Sequence, residues 1–185
     1  MSVMLSAYDP DWPAQFKTLA GPIHQALGAG TEVQHIGSTS VPGLLAKPII
    51  DMQLGVKDLD AFDPASLRGA GFEFETRITT DEPPFWDDPS PPEWRKAYFR
   101  ATRDGDRAAH LHVRQKGKRN HALALRFRDY LRAHPDVATA YARMKSVAAQ
   151  TGGQGSNTGG SGAYLDLKTP FVELVLLHAD RWARG

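Results

Sequence analysis

Three adjacent hydroxyls stand between a histidine and a carboxylate in the stretch Val33 to Val56, V-Q-H-I-G-S-T-S-V-P-G-L-L-A-K-P-I-I-D-M-Q-L-G-V. The pattern reads as strand, tight polar loop, strand. Gly37 permits a sharp turn where a Cβ would clash. The successive N–H groups of Ser38, Thr39 and Ser40 can form a concave donor nest that suits phosphate oxygens, and their hydroxyls add further donors. Lys47 and Pro48 open the second strand. Alternate residues of a strand share a face, so Ile49, Asp51, Gln53 and Gly55 lie on one side and Ile50, Met52, Leu54 and Val56 on the other. Asp51 is thus an acid in an otherwise buriable run. A buried carboxylate needs a partner, a metal or a proton.

A second group of reactive side chains lies further along. Arg95 to Ala101 and Arg107 to Arg114 read as a hairpin, with Asp104-Gly105 as a type I′ turn. On its second strand His110, His112 and Arg114 share one face and Leu111 and Val113 the other. Such a polar wall can meet a phosphate, a metal or Asp51. His110 is expected to face solvent, and His112 to face the site or be hydrogen-bonded. Tyr-x-x-x-Lys occurs twice, as Tyr141 with Lys145 and as Tyr164 with Lys168. Each pair lies one helical turn apart, so ring and ammonium are neighbours.

The elements that must position these residues follow from periodicity. Asp11-Trp12-Pro13 reads as a helix start with Asp11 as N-cap, with Trp12, Phe16, Leu19, Ile23 and Leu27 facing the core and a kink or two abutting helices at Gly21-Pro22. Asp58 to Arg68 reads as a short helix. Gly71 to Glu75 alternates as a strand with Phe72 and Phe74 inward. Residues 78 to 93, rich in Pro and Asp, form a long loop that reads equally as a functional lid and as a disordered excursion pinned down by Phe85 and Trp86. A helix from Asn120 buries Leu123, Phe127, Tyr130 and Leu131 and turns Arg126, Arg128 and Arg132 elsewhere. Pro135 opens the next helix, with Val137, Tyr141, Met144 and Ala148 inward. Residues 151–162 form a glycine-rich polar connector that fits neither a Walker A loop nor a dinucleotide-binding turn. The last helix runs from about Ala163 to Trp182, with Tyr164, Leu167, Phe171, Leu174, Val175, His178 and Trp182 on one stripe.

Composition narrows the classes. At 185 residues, 41% hydrophobic and 23% charged, the chain is expected to be one domain with a proper core. A net charge of +1 gives no global pull toward nucleic acid. The lack of cysteine excludes disulfides and thiolate metal sites. No apolar run is long enough to span a bilayer and the N-terminus lacks the regions of a secretory signal, so the expected location is the cytoplasm.

The segment H-I-G-S-T-S-V-P-G-L-L-A-K-P-I-I-D closely resembles the signature of the GrpB family, a group with a nucleotidyltransferase-like fold. The resemblance extends to His110-Leu111-His112-Val113, to F-R-D-Y-L-R-A-H-P from Phe127 to Pro135, and to both Tyr/Lys pairs. It implies an α+β (two-layer α/β) fold: a mixed sheet of about five strands with helices packed on it and a C-terminal helical part. By the same resemblance Gly37, Ser38, Thr39 and Ser40 would hold phosphate. Lys47, Arg114, Lys145 and Lys168 would offset its charge, with Tyr164 bracing its lysine. Asp51 would hold Mg2+ or Mn2+, with Gln53 standing where a second carboxylate usually stands. His35 and His112 would be the acid–base candidates. The expected function is metal-assisted transfer on a nucleotide or phosphorylated small molecule. The alternatives are a non-catalytic nucleotide- or CoA-like ligand module, since GrpB-like domains occur fused to dephospho-CoA kinases, and a metal hydrolase built on His35, His110 and His112.

Overall fold

The computed structural model describes residues 4–103, 106–151 and 161–185. The turn expected at Asp104-Gly105 and most of the glycine-rich connector lie outside them. Five strands form one mixed sheet: β1 (Glu32–Ile36), β2 (Ile50–Val56), β3 (Glu73–Phe74), β4 (Ala97–Arg103) and β5 (Asp106–Gln115), in the order β1-β2-β5-β4-β3. β2 and β5 run parallel at the centre, and every other pairing is antiparallel. A parallel pair needs a long crossover, which the chain between β2 and β5 supplies while also building β3 and β4. Among the described residues four helices complete the architecture: α1 (Trp12–Leu27), α2 (Arg119–Ala133), α3 (Pro135–Thr151) and α4 (Ser161–Trp182).

The expected alternation on β2 is observed. Ile50, Met52 and Leu54 lie in the core with Leu111 and Val113 of β5 and Phe99 of β4, under α1 and the 3-10 turns of Pro64–Ala70. Each such large apolar side chain taken fully out of water contributes roughly 1.5–3 kcal/mol. The opposite face carries Asp51 and Gln53 and is roofed by α2, α3 and α4. These helices have their own core of Phe127, Leu131, Tyr141, Val175 and Ala179, completed by Val41 and Leu44 of the loop after β1.

Several local expectations are corrected. α1 is one helix that contains Pro22, and Asp11 makes no side-chain cap bond. The segment after β2 forms a 3-10 helix only from Pro64, where Asp63 caps Ala65, so the helix expected from Asp58 starts late. Phe72 is buried, but Phe74 at the sheet edge is 41% exposed and leans on Phe99. On α4 the buried line runs through Tyr164, Val175 and Ala179, while Leu167, Leu174, His178 and Trp182 are exposed. Buried positions there follow the packing of α4 on both α2 and α3, which a single hydrophobic stripe does not resolve.

Candidate functional site

The loop after β1 is held by α2 rather than by its own turns alone. Arg128 donates to the His35 carbonyl at 3.1 Å, and Arg132 donates twice to the Ser40 carbonyl at 3.0 and 2.7 Å. Arg128 and Arg132, turned away from the buried face of α2, are therefore clamps on the loop. Within it, Ser38–Ser40 form a single 3-10 turn. The amides of Ser40 and Val41 donate to the carbonyls of Gly37 and Ser38. The amides of Ser38 and Thr39 donate to no backbone carbonyl among the described residues.

Gly37 does two things. Its φ of +69° with ψ of −170° is a conformation that residues with a Cβ rarely adopt. A Cβ there would also overlap Asp51 Oδ2 and sit 2.8 Å from Asp51 Cβ. The turn and the carboxylate are thus packed directly together. Asp51, with a side chain one-third exposed, accepts from His110 Nδ1 at 3.0 Å. Burial works against its charge, but the hydrogen bond and charge of His110, then His112 and Lys168, hold it below its ordinary range. His110 Nε2 is buried with no partner among the described residues. With Nδ1–H given to Asp51, Nε2 presents a lone pair, the arrangement of a general base.

Beside this pair lies a cluster of lysines and tyrosines. Lys145 is 2% exposed. Its Nζ donates to Ser38 Oγ at 3.0 Å and to the Leu45 carbonyl, and lies 4.6 Å from the Tyr141 ring centre. Burial, then the charge of Lys168, pushes its pKa down to about 7. Burial raises the Tyr141 hydroxyl, against a hydrogen bond with Ser38. Lys168 and Lys47 both face the ring of Tyr164, at 6.0 and 4.9 Å. Both Tyr-x-x-x-Lys pairs are therefore cation–π pairs.

Other expected site residues are not brought to this point. His35 lies opposite Met52, hence on the apolar face of the sheet, stacked on Phe16 and bonded to Thr39 Oγ1 at 2.9 Å. Burial, then Arg132, lowers its pKa to about 4. Ser40 Oγ donates to the Gly37 carbonyl at 2.6 Å. Thr39 and Ser40 are buried with their hydroxyls used, so of the three hydroxyls Ser38 alone joins the lysines. Because His35 and the β5 histidines occupy opposite faces, a hydrolase centre of His35, His110 and His112 does not form.

Arg114 and Gln53 belong to a closed network. Arg114 holds Asp81 with Nε at 2.8 Å and Nη2 at 3.1 Å, and Nη1 donates to Gln53 Oε1 at 2.6 Å. Gln53, fully buried, donates to the His121 carbonyl at 3.2 Å. Lys96 and Asn120 also donate to Asp81. His112 Nδ1 faces Arg114 Nη2 at 3.2 Å and Lys96 Nζ at 3.4 Å, and burial with those two cations keeps its ring neutral. His110, expected to face solvent, is instead the histidine that meets Asp51, while His112 is held within the network of Arg114 and Lys96. Periodicity placed both on one face but could not say which one meets Asp51.

The donor set does not fit a resident Mg2+ or Mn2+ ion. Such ions favour several hard carboxylate oxygens. Here the amide oxygen of Gln53 is taken by Arg114, and Glu75 pairs with Arg77 and Arg100 near the β3 edge. Among the described residues no three His, Asp or Glu side chains converge on a cation position.

A cavity of about 270 Å³ opens over Gly37, Asp51 and His112, walled by Leu123, Phe127, Val172 and Leu176 of the roof helices. The loop of residues 78 to 93 crosses its rim as a strap. Trp86 Nε1 donates to the Glu173 carbonyl at 3.1 Å, and Arg119 ties Asp87 to Asp180 of α4. Phe85, expected to help pin it, is 80% exposed. No helix among the described residues is long and apolar enough to cross a membrane.

The family model described as GrpB protein matches residues 2–177. A UPF0157 protein of Halalkalibacterium halodurans is 38% identical over 152 residues, covering 80% of this chain and 70% of that one. A dephospho-CoA kinase of Mycolicibacterium paratuberculosis is 32% identical over 196 residues, and the match covers 98% of this chain but 47% of that enzyme. Among solved structures, the conserved protein GrpB from Enterococcus faecalis superposes with a TM-score of 0.79 at 28% identity, covering 98% of this chain and all of that one.

Proposed function

The chain belongs to the GrpB family, and from that premise we propose that its cleft binds a phosphorylated small molecule of the nucleotide or coenzyme A type. The observation that carries the reading is the meeting of Lys145, Lys168 and Ser38 beside Asp51, which itself lines a largely apolar cavity. Lys168 is in no ion pair with a carboxylate among the described residues, so its charge is available to a phosphate, while Lys145 holds Ser38 in place beside it. Lys168, Val172 and Leu176 recur at one-turn spacing on α4. A ligand laid along that face meets ammonium first and apolar side chains next, as a phosphate joined to a flat ring requires. Relatives named dephospho-CoA kinase support the ligand class.

A transferase reading is supported by one specific feature, the Asp51–His110 pair. Asp51 fixes the ring and its tautomer, and His110 Nε2 can take a proton from an acceptor hydroxyl. Ion pairing to Asp51 stabilises the imidazolium that results.

The test is a thermal-shift series with ATP, CTP, CoA, dephospho-CoA and inorganic phosphate, each with and without Mg2+. At one hundred times its Kd a ligand adds about 2.7 kcal/mol, roughly 5–10 °C for a chain of this size. Lys168→Ala should remove most of that shift. No shift with any ligand at millimolar concentration, or a shift indifferent to Lys168→Ala, would sink the reading. Turnover of ATP or CTP lost in Asp51→Ala would establish the transferase.

A further inference from the structure

Ser38 is the one hydroxyl of the loop whose oxygen touches the buried amine rather than a backbone group, and that contact has a chemical meaning of its own. We propose that Ser38 is a nucleophile and Lys145 its base, forming a Ser–Lys pair that accepts an acyl group from an ester or thioester. The geometry meets the requirement for such a pair: 3.0 Å between Oγ and Nζ, with the amine enclosed and oriented. The orienting group is the Leu45 carbonyl, which takes one N–H of Lys145. A neutral amine has two hydrogens and one lone pair, so the Ser38 contact can then run from Oγ–H to Nζ. Tyr141 shares Ser38 as a hydrogen-bond partner and covers the amine with its ring.

The step balances without a metal or redox partner. Ser38 Oγ attacks the carbonyl carbon, the Oγ–C bond forms, and the proton passes to Lys145 Nζ. The alkoxide or thiolate leaves with the electrons of its bond to carbon and takes that proton. Water then hydrolyses the acyl-serine by the same base, or an acceptor amine or thiol removes the acyl group. The charged and titratable groups that act on Nζ are Tyr141 on its own helix, Ser38 in the loop, Asp51 on β2, and Lys168 on α4, itself over the ring of Tyr164. Burial and Lys168 together place the amine near neutrality, in the range where a base works at physiological pH.

This goes beyond the ligand-binding reading and is tested without any nucleotide. The folded full chain is incubated with p-nitrophenyl acetate between pH 5.5 and 9, and its peptides are mapped for the acetyl group. The expected result is acetyl on Ser38, with a rate that rises through a midpoint near 7 and then levels. Ser38→Ala should abolish that adduct, and Lys145→Met should slow it about 100-fold or more. Lys145→Arg should not rescue the rate, since a guanidinium cannot accept the proton. A thermal melt of each variant identifies any that fails to fold, and the wild-type pH profile stands regardless. Ser38 left unmodified in folded wild type, or modified at a rate that folded Lys145→Met leaves within about threefold, overturns the proposal. Nucleotide-induced stabilisation can succeed or fail independently of either result.

Discussion

Replacing Gly37 by alanine probes the contact on which the site rests. The backbone there, at φ +69° and ψ −170°, costs a residue with a Cβ roughly 1–3 kcal/mol. The methyl would also overlap the Asp51 carboxylate, with Asp51 Cβ at 2.8 Å and Cγ at 3.0 Å. Forcing an added methyl into a packed site costs about another 1–3 kcal/mol. Together these give a loss of about 2–6 kcal/mol, or a Tm lower by roughly 5–20 °C for a chain of this length. Urea denaturation measures it as a lower midpoint at unchanged slope. Asp51→Gly separates the two contributions, because it removes the atoms in the way and leaves the backbone preference. In that background Gly37→Ala should cost only about 1–3 kcal/mol, so the two substitutions should couple. A loss below about 1 kcal/mol in the otherwise wild-type chain, or strict additivity, would refute the packing of turn against carboxylate.

Other outcomes follow from buried charges. His35 is held at a pKa of about 4 against 6.5 in the unfolded chain, so between those values the unfolded state binds the extra proton and stability falls as pH drops. The span corresponds to roughly 3 kcal/mol, and His35→Leu should flatten that part of the stability–pH curve. Lys145, lowered from 10.5 to about 7, has the same sign in another window: stability should rise as pH climbs from about 7 toward 10, a slope that Lys145→Met removes. Asp81→Asn leaves Lys96 and Arg114 buried without their anion and should cost about 3–5 kcal/mol in urea unfolding.

The alternation of β2 and β5 was legible because a strand has a strict period of two, and Asp51, Gln53, His110, His112 and Arg114 do share one face. The Tyr/Lys pairs were legible because i and i+4 must meet on a helix. What the periods could not give is which partner a polar residue takes across elements. Gln53 reads as a weakened metal ligand only until Arg114 is seen to hold its oxygen. Asp81 carried no signal in a Pro-rich loop, yet it anchors four donors' worth of buried network. His35 sits next to the loop in the chain but on the apolar side of the sheet, because its neighbour Ile36 takes the side of Asp51.

The two separate cores have a consequence for how a guest gets in. One greasy block joins α1 to the back of the sheet, the other knits α2, α3 and α4 to the loop, and the acids and bases lie in the seam between. Layers joined by polar contacts part more readily than layers joined by oil. The Arg119–Asp87–Asp180 clasp ties the loop of residues 78 to 93 to α2 and α4 on one side of that seam. Whatever fills the seam with matching charge then acts as mortar between the two blocks, and its arrival should be felt first as a quieting of α4.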